Sequence, residues 1–168
     1  VEKIVREKKA QYGANANFEI SLQTESVSSE LFSQIEATEF KRLISNLLDN
    51  SAEALEGTGI IFVCLSSNSS DRIQISIKDN GKGVPPEILA KLGAPGETYG
   101  KPGGSGLGLF HALAWVEHWG GSLEIRSSPG HGTEISITLP SKLIPGTIQS
   151  GRESIPNRQT KRIARRLA

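Results

Sequence analysis

The chain has no methionine, a single cysteine and few aromatic residues, 5% of the total. With one cysteine no disulfide can form within the chain, so a disulfide-stapled scaffold is excluded and nothing points to an oxidising compartment. That cysteine, Cys64, lies in the apolar run IIFVCL and is expected as a buried core thiol. The missing methionine, with Val1 as first residue, suggests a fragment of a longer protein. No secretory signal opens it. Nor does any apolar run approach the roughly 20 residues of a membrane-spanning helix. What is present, 168 residues with 36% apolar content, suits one soluble domain with a real core.

Net charge is only +1, but it is divided unevenly. Residues 141–168 carry seven Lys or Arg against one Glu, a balance of +6 that leaves −5 for residues 1–140. A mildly acidic folded part argues against a nucleic-acid groove. The tail is polar, basic and Gly/Pro-containing, and is expected to be flexible and outside the fold, free to contact an acidic partner. Residues 1–12 read as the exposed end of a helix or linker, and 13–140 as the folded domain.

From Glu30 to Leu55 the pattern is helical, with Ser28 or Ser29 as candidate caps and Gly57 as the stop. At 100° per residue Phe40, Leu43, Ile44, Leu47, Leu48 and Leu55 share one sector, and Asn46, Asp49, Asn50 and Glu53 another. A polar stripe is commonly just a solvated face. Two asparagines at i, i+4, however, place two side-chain carbonyl oxygens on adjacent turns, donors suited to a hard cation such as Mg²⁺ that keeps most of its waters and its phosphates.

Strands are expected at 17–22, 60–65, 72–78, 122–126 and 133–139, from period-2 alternation and the turns between them. In the third, Ile73, Ile75 and Ile77 point one way, and Asp79 continues their parity at the strand end, in DNGKGV. Such a carboxylate either faces the core and needs donors waiting for it, or merely begins the Asp-Asn-Gly turn. Thr133 shares the apolar face of the last strand. A short helix over 87–92 is followed by a Gly- and Pro-rich stretch, 93–104, and then by GGSGLGL, which opens a helix over 106–119. Glycines running into a helix start offer free N–H groups and a positive dipole end to phosphates. No strand directly precedes them and no Gly-Lys-Ser/Thr closes them, so neither a dinucleotide-binding turn nor a Walker loop fits.

Taken in order, ISNLLDNSAEAL, DNGKGV, GGSGLGL and GHGTEISITLP resemble the N box, the two glycine boxes and the closing strand of the gyrase, chaperone, histidine kinase and mismatch-repair (GHKL) ATPases. The resemblance spans about Phe18 to Pro140 and is strongest to the catalytic domain of bacterial sensor histidine kinases. It implies the Bergerat fold: an α/β two-layer sandwich, a mixed, mainly antiparallel sheet with helices on one face. The implied cofactors are ATP and Mg²⁺. Asn50 would be the metal ligand, with Asn46 beside it, and Asp79 would accept from the adenine amino group. Gly81, Gly83 and Val84 would line the base, Thr133 would support Asp79, and Gly104, Ser105, Gly106, Leu107 and Gly108 would cradle phosphates. Residues 85–103 would form a lid, with Tyr99 and Lys101 over the nucleotide.

The hydrolysing branches carry a glutamate where this chain has Asn46, and an amide cannot take a proton from water. Phosphoryl transfer to a histidine on another domain is therefore favoured, with hydrolysis using Glu53, or a nucleotide-dependent binding module, as alternatives. His111, His118 and His131 lack the acidic context of an acceptor helix and read as structural or surface residues. The resemblance further implies an upstream dimerisation and phosphoacceptor domain, a response regulator receiver domain as partner, a homodimeric parent and a cytoplasmic location, whether or not the parent is membrane-anchored.

Overall fold

The computed structural model describes residues 1–13, 17–25, 31–68, 71–92 and 107–143. Helix α1 (Glu2–Tyr12) leads into strand β1 (Asn17–Glu25), the short strand β2 (Leu31–Phe32) and the long helix α2 (Ala37–Ala54). Strands β3 (Thr58–Asn68) and β4 (Arg72–Asp79) follow, then the one-turn α3 (Pro86–Leu89), helix α4 (Leu107–His118), strands β5 (Ser122–Ser127) and β6 (Thr133–Pro140), and finally β7 (Lys142–Leu143). The main sheet has the order β1-β3-β4-β6-β5. Among the described residues only β1 and β3 pair in parallel, so the sheet is mixed and mainly antiparallel, as the motifs implied.

One face of that sheet carries the core. Ile20, Ile61, Val63, Ile75, Ile77, Ile135, Ile137 and Leu139 project from it, because β-branched residues at alternate positions fit a pleated, half-buried surface. Leu43, Ile44, Leu47 and Leu48 of α2 and Ala112 and Val116 of α4 close on them, all within 1% of complete burial. Trp119 lies against Phe40, their ring centroids 6.3 Å apart. Among the described residues no helix is long and apolar enough to cross a membrane.

The same alternation corrects the reading of Cys64. Ile61 and Val63 face the helices, so Cys64 stands on the opposite face of β3, where it is half-buried. Burial, and secondarily the charge of Glu25, raise its thiol pKa, which leaves it a poor nucleophile.

Helix α2 starts seven residues later than its periodicity suggested. Leu31 and Phe32 pair instead with Leu143 and Lys142, and Glu36, with extended backbone, caps the helix by accepting from the Thr38 N–H at 3.2 Å. The candidate caps Ser28 and Ser29 lie outside the described residues. Pairing in β7 also carries the fold to Leu143, past the Pro140 boundary expected from the tail's composition. Helix α1 is not the exposed segment that its charge suggested: Ile4, Val5 and Lys8 are buried against the domain.

Candidate functional site

Three neighbouring strands bring their functional residues to one end of the sheet. Asp79 ends β4 opposite Ile61 of β3, Thr133 opens β6, and Ser127 ends β5 opposite Thr133. The isoleucine parity does carry Asp79 inward, to 2% exposure, and the Asn80 turn begins directly after it. The donors that such a buried carboxylate requires are in place. The backbone N–H groups of Gly81, at 3.0 Å, and Thr133, at 3.2 Å, both donate to Oδ1, and the Ser51 hydroxyl of α2 bonds the carboxyl as well. Burial nonetheless wins and raises the Asp79 pKa above the usual carboxylate value.

Around this carboxylate, close backbone contacts lock two loops together. Asn80 Oδ1 accepts from the Ile60 N–H at 2.8 Å, the Lys82 N–H donates to Ala54 O at 3.0 Å, and the Gly130 N–H to Lys82 O at 2.8 Å. Gly83 and Gly132 have φ of 66° and 79°, and an added Cβ would stand 2.0 Å from Ser128 O and 1.9 Å from Asp79 O. The close approach that these glycines permit is thus to the chain's own backbone. At Gly81, expected to make room for a base, the neighbour is again protein, Ala54 O at 2.4 Å from an added Cβ. The Val84 N–H donates to Ser127 Oγ at 2.8 Å, and that hydroxyl also bonds Gly132 O and Thr133 Oγ1, each at 2.9 Å.

The polar stripe of α2 divides in two. Asn46 is half-buried and turned toward the start of α4, its Nδ2 3.8 Å from where a Gly108 Cβ would stand. Asn50 is exposed one turn later. Asp49 is instead taken up by α1, with Lys8 Nζ at 2.8 and 2.7 Å from its two oxygens and Tyr12 Oη at 2.5 Å from Oδ1. Glu53, also exposed, bears electrostatically on Tyr12, whose phenol pKa is raised by burial first and then by the Asp49 hydrogen bond and charge.

Asn46 and Gly108 therefore meet across the seam between α2 and α4. Helix α4 begins at Leu107, so its first-turn N–H groups and positive dipole end lie beside this seam. Residues 93–106, which include Tyr99, Lys101, Gly104, Ser105 and Gly106, are outside the described residues. Among the described residues no group of three or more His, Cys, Asp or Glu could hold a metal by itself. An exposed amide one turn along α2 from the Asn46 that faces the start of α4 fits a different donor set, a hard cation bound chiefly by phosphates and water. In that sense Asn50 and Asn46 suit Mg²⁺.

Two site residues escaped the sequence reading. Ser51 is 4% exposed in the middle of the apolar sector of α2, and a polar residue among Leu43, Ile44, Leu47 and Leu48 was the available signal, since a buried hydroxyl requires a partner. Ser127 gave none: its role depends on β5 ending beside β6 and the Gly83 loop.

The sequence profile described as "Histidine kinase-, DNA gyrase B-, and HSP90-like ATPase" matches residues 35–143. Sporulation kinase E of Bacillus subtilis (strain 168) is 36% identical over 105 residues, 62% of this chain and 14% of its own length. Sporulation kinase B of the same organism is 38% identical over 109 residues, 64% of this chain and 25% of its own. The chain thus spans a quarter or less of these two relatives. Among solved structures, full-length ShkA in complex with AMPPNP superposes with a TM-score of 0.69 at 21% identity, covering 85% of this chain and 30% of that one. At that identity the likeness establishes the fold.

Proposed function

Because the chain belongs to the family of histidine kinase-, DNA gyrase B- and HSP90-like ATPases, we propose that it binds ATP with Mg²⁺ as the catalytic domain of a sensor histidine kinase. It would donate the γ-phosphoryl group to a histidine on a separate dimerisation domain. The observation that carries this reading is Asp79. A carboxylate buried to 2% exposure, with Oδ1 fixed by two backbone N–H donors and the Ser51 hydroxyl bonded to the same carboxyl, is a preorganised group whose remaining acceptor capacity would take the amino group of adenine. Its cost to the fold makes sense as part of a binding site.

The remaining roles follow from position. Gly81, Gly83 and Val84 form the wall beside Asp79, and Thr133 and Ser127 hold that wall against β5 and β6. The first turn of α4, from Leu107 and Gly108, draws the phosphates toward Asn46 and Asn50. Magnesium, when bound, neutralises charge on the phosphates, and Asn50 would be its protein ligand. Gly104, Ser105 and Gly106 would add backbone donors, and Tyr99 and Lys101 would close over the nucleotide. Catalysis by this chain would consist of positioning and charge compensation, with the acceptor supplied from outside. Asn46 supports transfer over hydrolysis, because an amide cannot deprotonate water. The domain would work in the cytoplasm, in a homodimeric parent that passes its phosphoryl group to a response regulator receiver domain.

Calorimetric titration of the chain with ATP, with and without Mg²⁺, together with phosphate release in the same samples, tests the proposal. Binding with negligible release is the expected result. Steady release that disappears in Glu53→Gln would instead make the chain a self-contained hydrolase, and binding by a full-length protein that never phosphorylates itself would make the domain a nucleotide-dependent binding module. Asn50→Ala should bind metal-free ATP normally yet lose most of the gain that Mg²⁺ confers, about tenfold for one lost metal ligand and its hydrogen bonds. An unchanged Mg²⁺ dependence would remove Asn50 from the metal.

A further inference from the structure

Helix α1 bears on the nucleotide site through one carboxylate. Asp49 precedes Asn50 directly and follows Asn46 by three positions, which puts it on the flank of the stripe assigned above to metal and phosphate. Its side chain is 36% exposed and its partners come from α1. Lys8, on the inward side of α1 one turn after Ile4, is only 7% exposed yet reaches both Asp49 oxygens. Tyr12, one turn further, donates its hydroxyl to Oδ1, and its ring lies 5.8 Å from the Lys8 ammonium. A lysine is seldom buried without a reason for its charge to be there. Here the ammonium cancels a negative charge at the place in the domain where a triphosphate would be least tolerant of one.

We propose that Lys8 and Tyr12 are positioning residues for the nucleotide site: by pairing Asp49 they keep its carboxylate neutralised and turned away from the phosphates, so that the docking of α1 sets the affinity for ATP. The inference rests on the ATP-binding reading above. When α1 is in place, Asp49 is paired and the α2 stripe offers the nucleotide the amides of Asn46 and Asn50, with the exposed Glu53 one turn further along. Without the Lys8 ammonium, the same stripe presents an uncompensated carboxylate beside Asn50. Repulsion scales with the ligand's charge, so it acts on free ATP, with four negative charges, about twice as strongly in free energy as on the magnesium complex, with two. Such an effect is also screened by salt. A helix that served only as packing would have neither property.

The test is calorimetric titration of Lys8→Met with ATP and with MgATP at low and high salt. Methionine keeps the buried stem and removes the charge. At low salt, affinity is expected to fall about threefold for MgATP and about tenfold for free ATP, with both losses shrinking in high salt. The double variant Lys8→Met/Asp49→Asn, in which no buried or uncompensated charge is left at this pair, is expected to fold and to bind like the unmutated chain. Tyr12→Phe, which removes one donor and no charge, should show a smaller loss of the same pattern. Unchanged binding in Lys8→Met, equal losses for both ligands, or failure of the double variant to restore affinity would each overturn the proposal. An unmutated chain that binds no ATP would overturn the nucleotide reading itself, whereas normal ATP binding with any of those variant results overturns this inference alone.

Discussion

Asp79→Asn is expected to lose ATP affinity by about a hundredfold or more while the domain remains folded. The Gly81 and Thr133 N–H groups both donate to Oδ1, an acceptor that an asparagine amide oxygen retains. Its –NH₂ must then occupy the place of Oδ2 and point a donor at the adenine amino group, itself a donor. A site built to accept one hydrogen bond and made to offer another pays both for the lost bond and for a buried group left unpaired. Calorimetry of the variant measures this directly, and intact affinity would exclude Asp79 from base recognition.

The same substitution should also change stability with a specific pH dependence. Burial raises the folded-state pKa of Asp79 above its unfolded value near 3.8, so between the two the native state holds the extra proton. The stability contributed by the neutral carboxyl is complete below the unfolded pKa and is lost as pH rises through the folded pKa. The stability of Asp79→Asn relative to the unmutated chain should therefore be constant below about pH 4, rise with pH above it and level off beyond the folded pKa. Urea unfolding across that range would show it. A relative stability that rises with pH while ligand affinity is lost is what a binding carboxylate buried at a cost to the fold predicts.

Gly132→Ala should be the most damaging of the small substitutions. An added Cβ would stand 1.9 Å from the Asp79 carbonyl oxygen and 2.9 Å from Asn80 Cα, at a φ of 79° that L-residues avoid. Backbone cannot swing aside as a side chain can, so the loop must separate from β4. It would carry away the Thr133 N–H that holds Asp79. A loss of about 3 kcal/mol or more in unfolding free energy is expected, with ATP binding lost too. Gly130→Ala is the matched control: its φ is 76°, but an added Cβ meets nothing within 4 Å, so it should cost only the backbone penalty, about 1 kcal/mol. Equal costs at the two positions would show that φ, and not the contact with Asp79, governs the loop.

Much of this protein was determined by local pattern. Alternation in 72–79 decided that Asp79 faces the isoleucine side, and the helical period separated Leu43, Ile44, Leu47 and Leu48 from Asn46 and Asn50, because side-chain direction repeats every 2.0 or 3.6 residues whatever lies nearby. Motif order supplied the fold class by resemblance. Long-range partners were beyond such patterns. That Leu31 and Phe32 join Lys142 and Leu143 and so delay α2, that Cys64 faces away from the core, and that Ser51 and Ser127 serve the Asp79 end of the sheet all depend on which elements become neighbours. The division of the α2 stripe is the clearest case. A helical wheel sets Asp49 among the polar stripe with Asn46 and Asn50, and only the packing of α1, with a buried ammonium and a phenol at hydrogen-bond distance, takes it away from them.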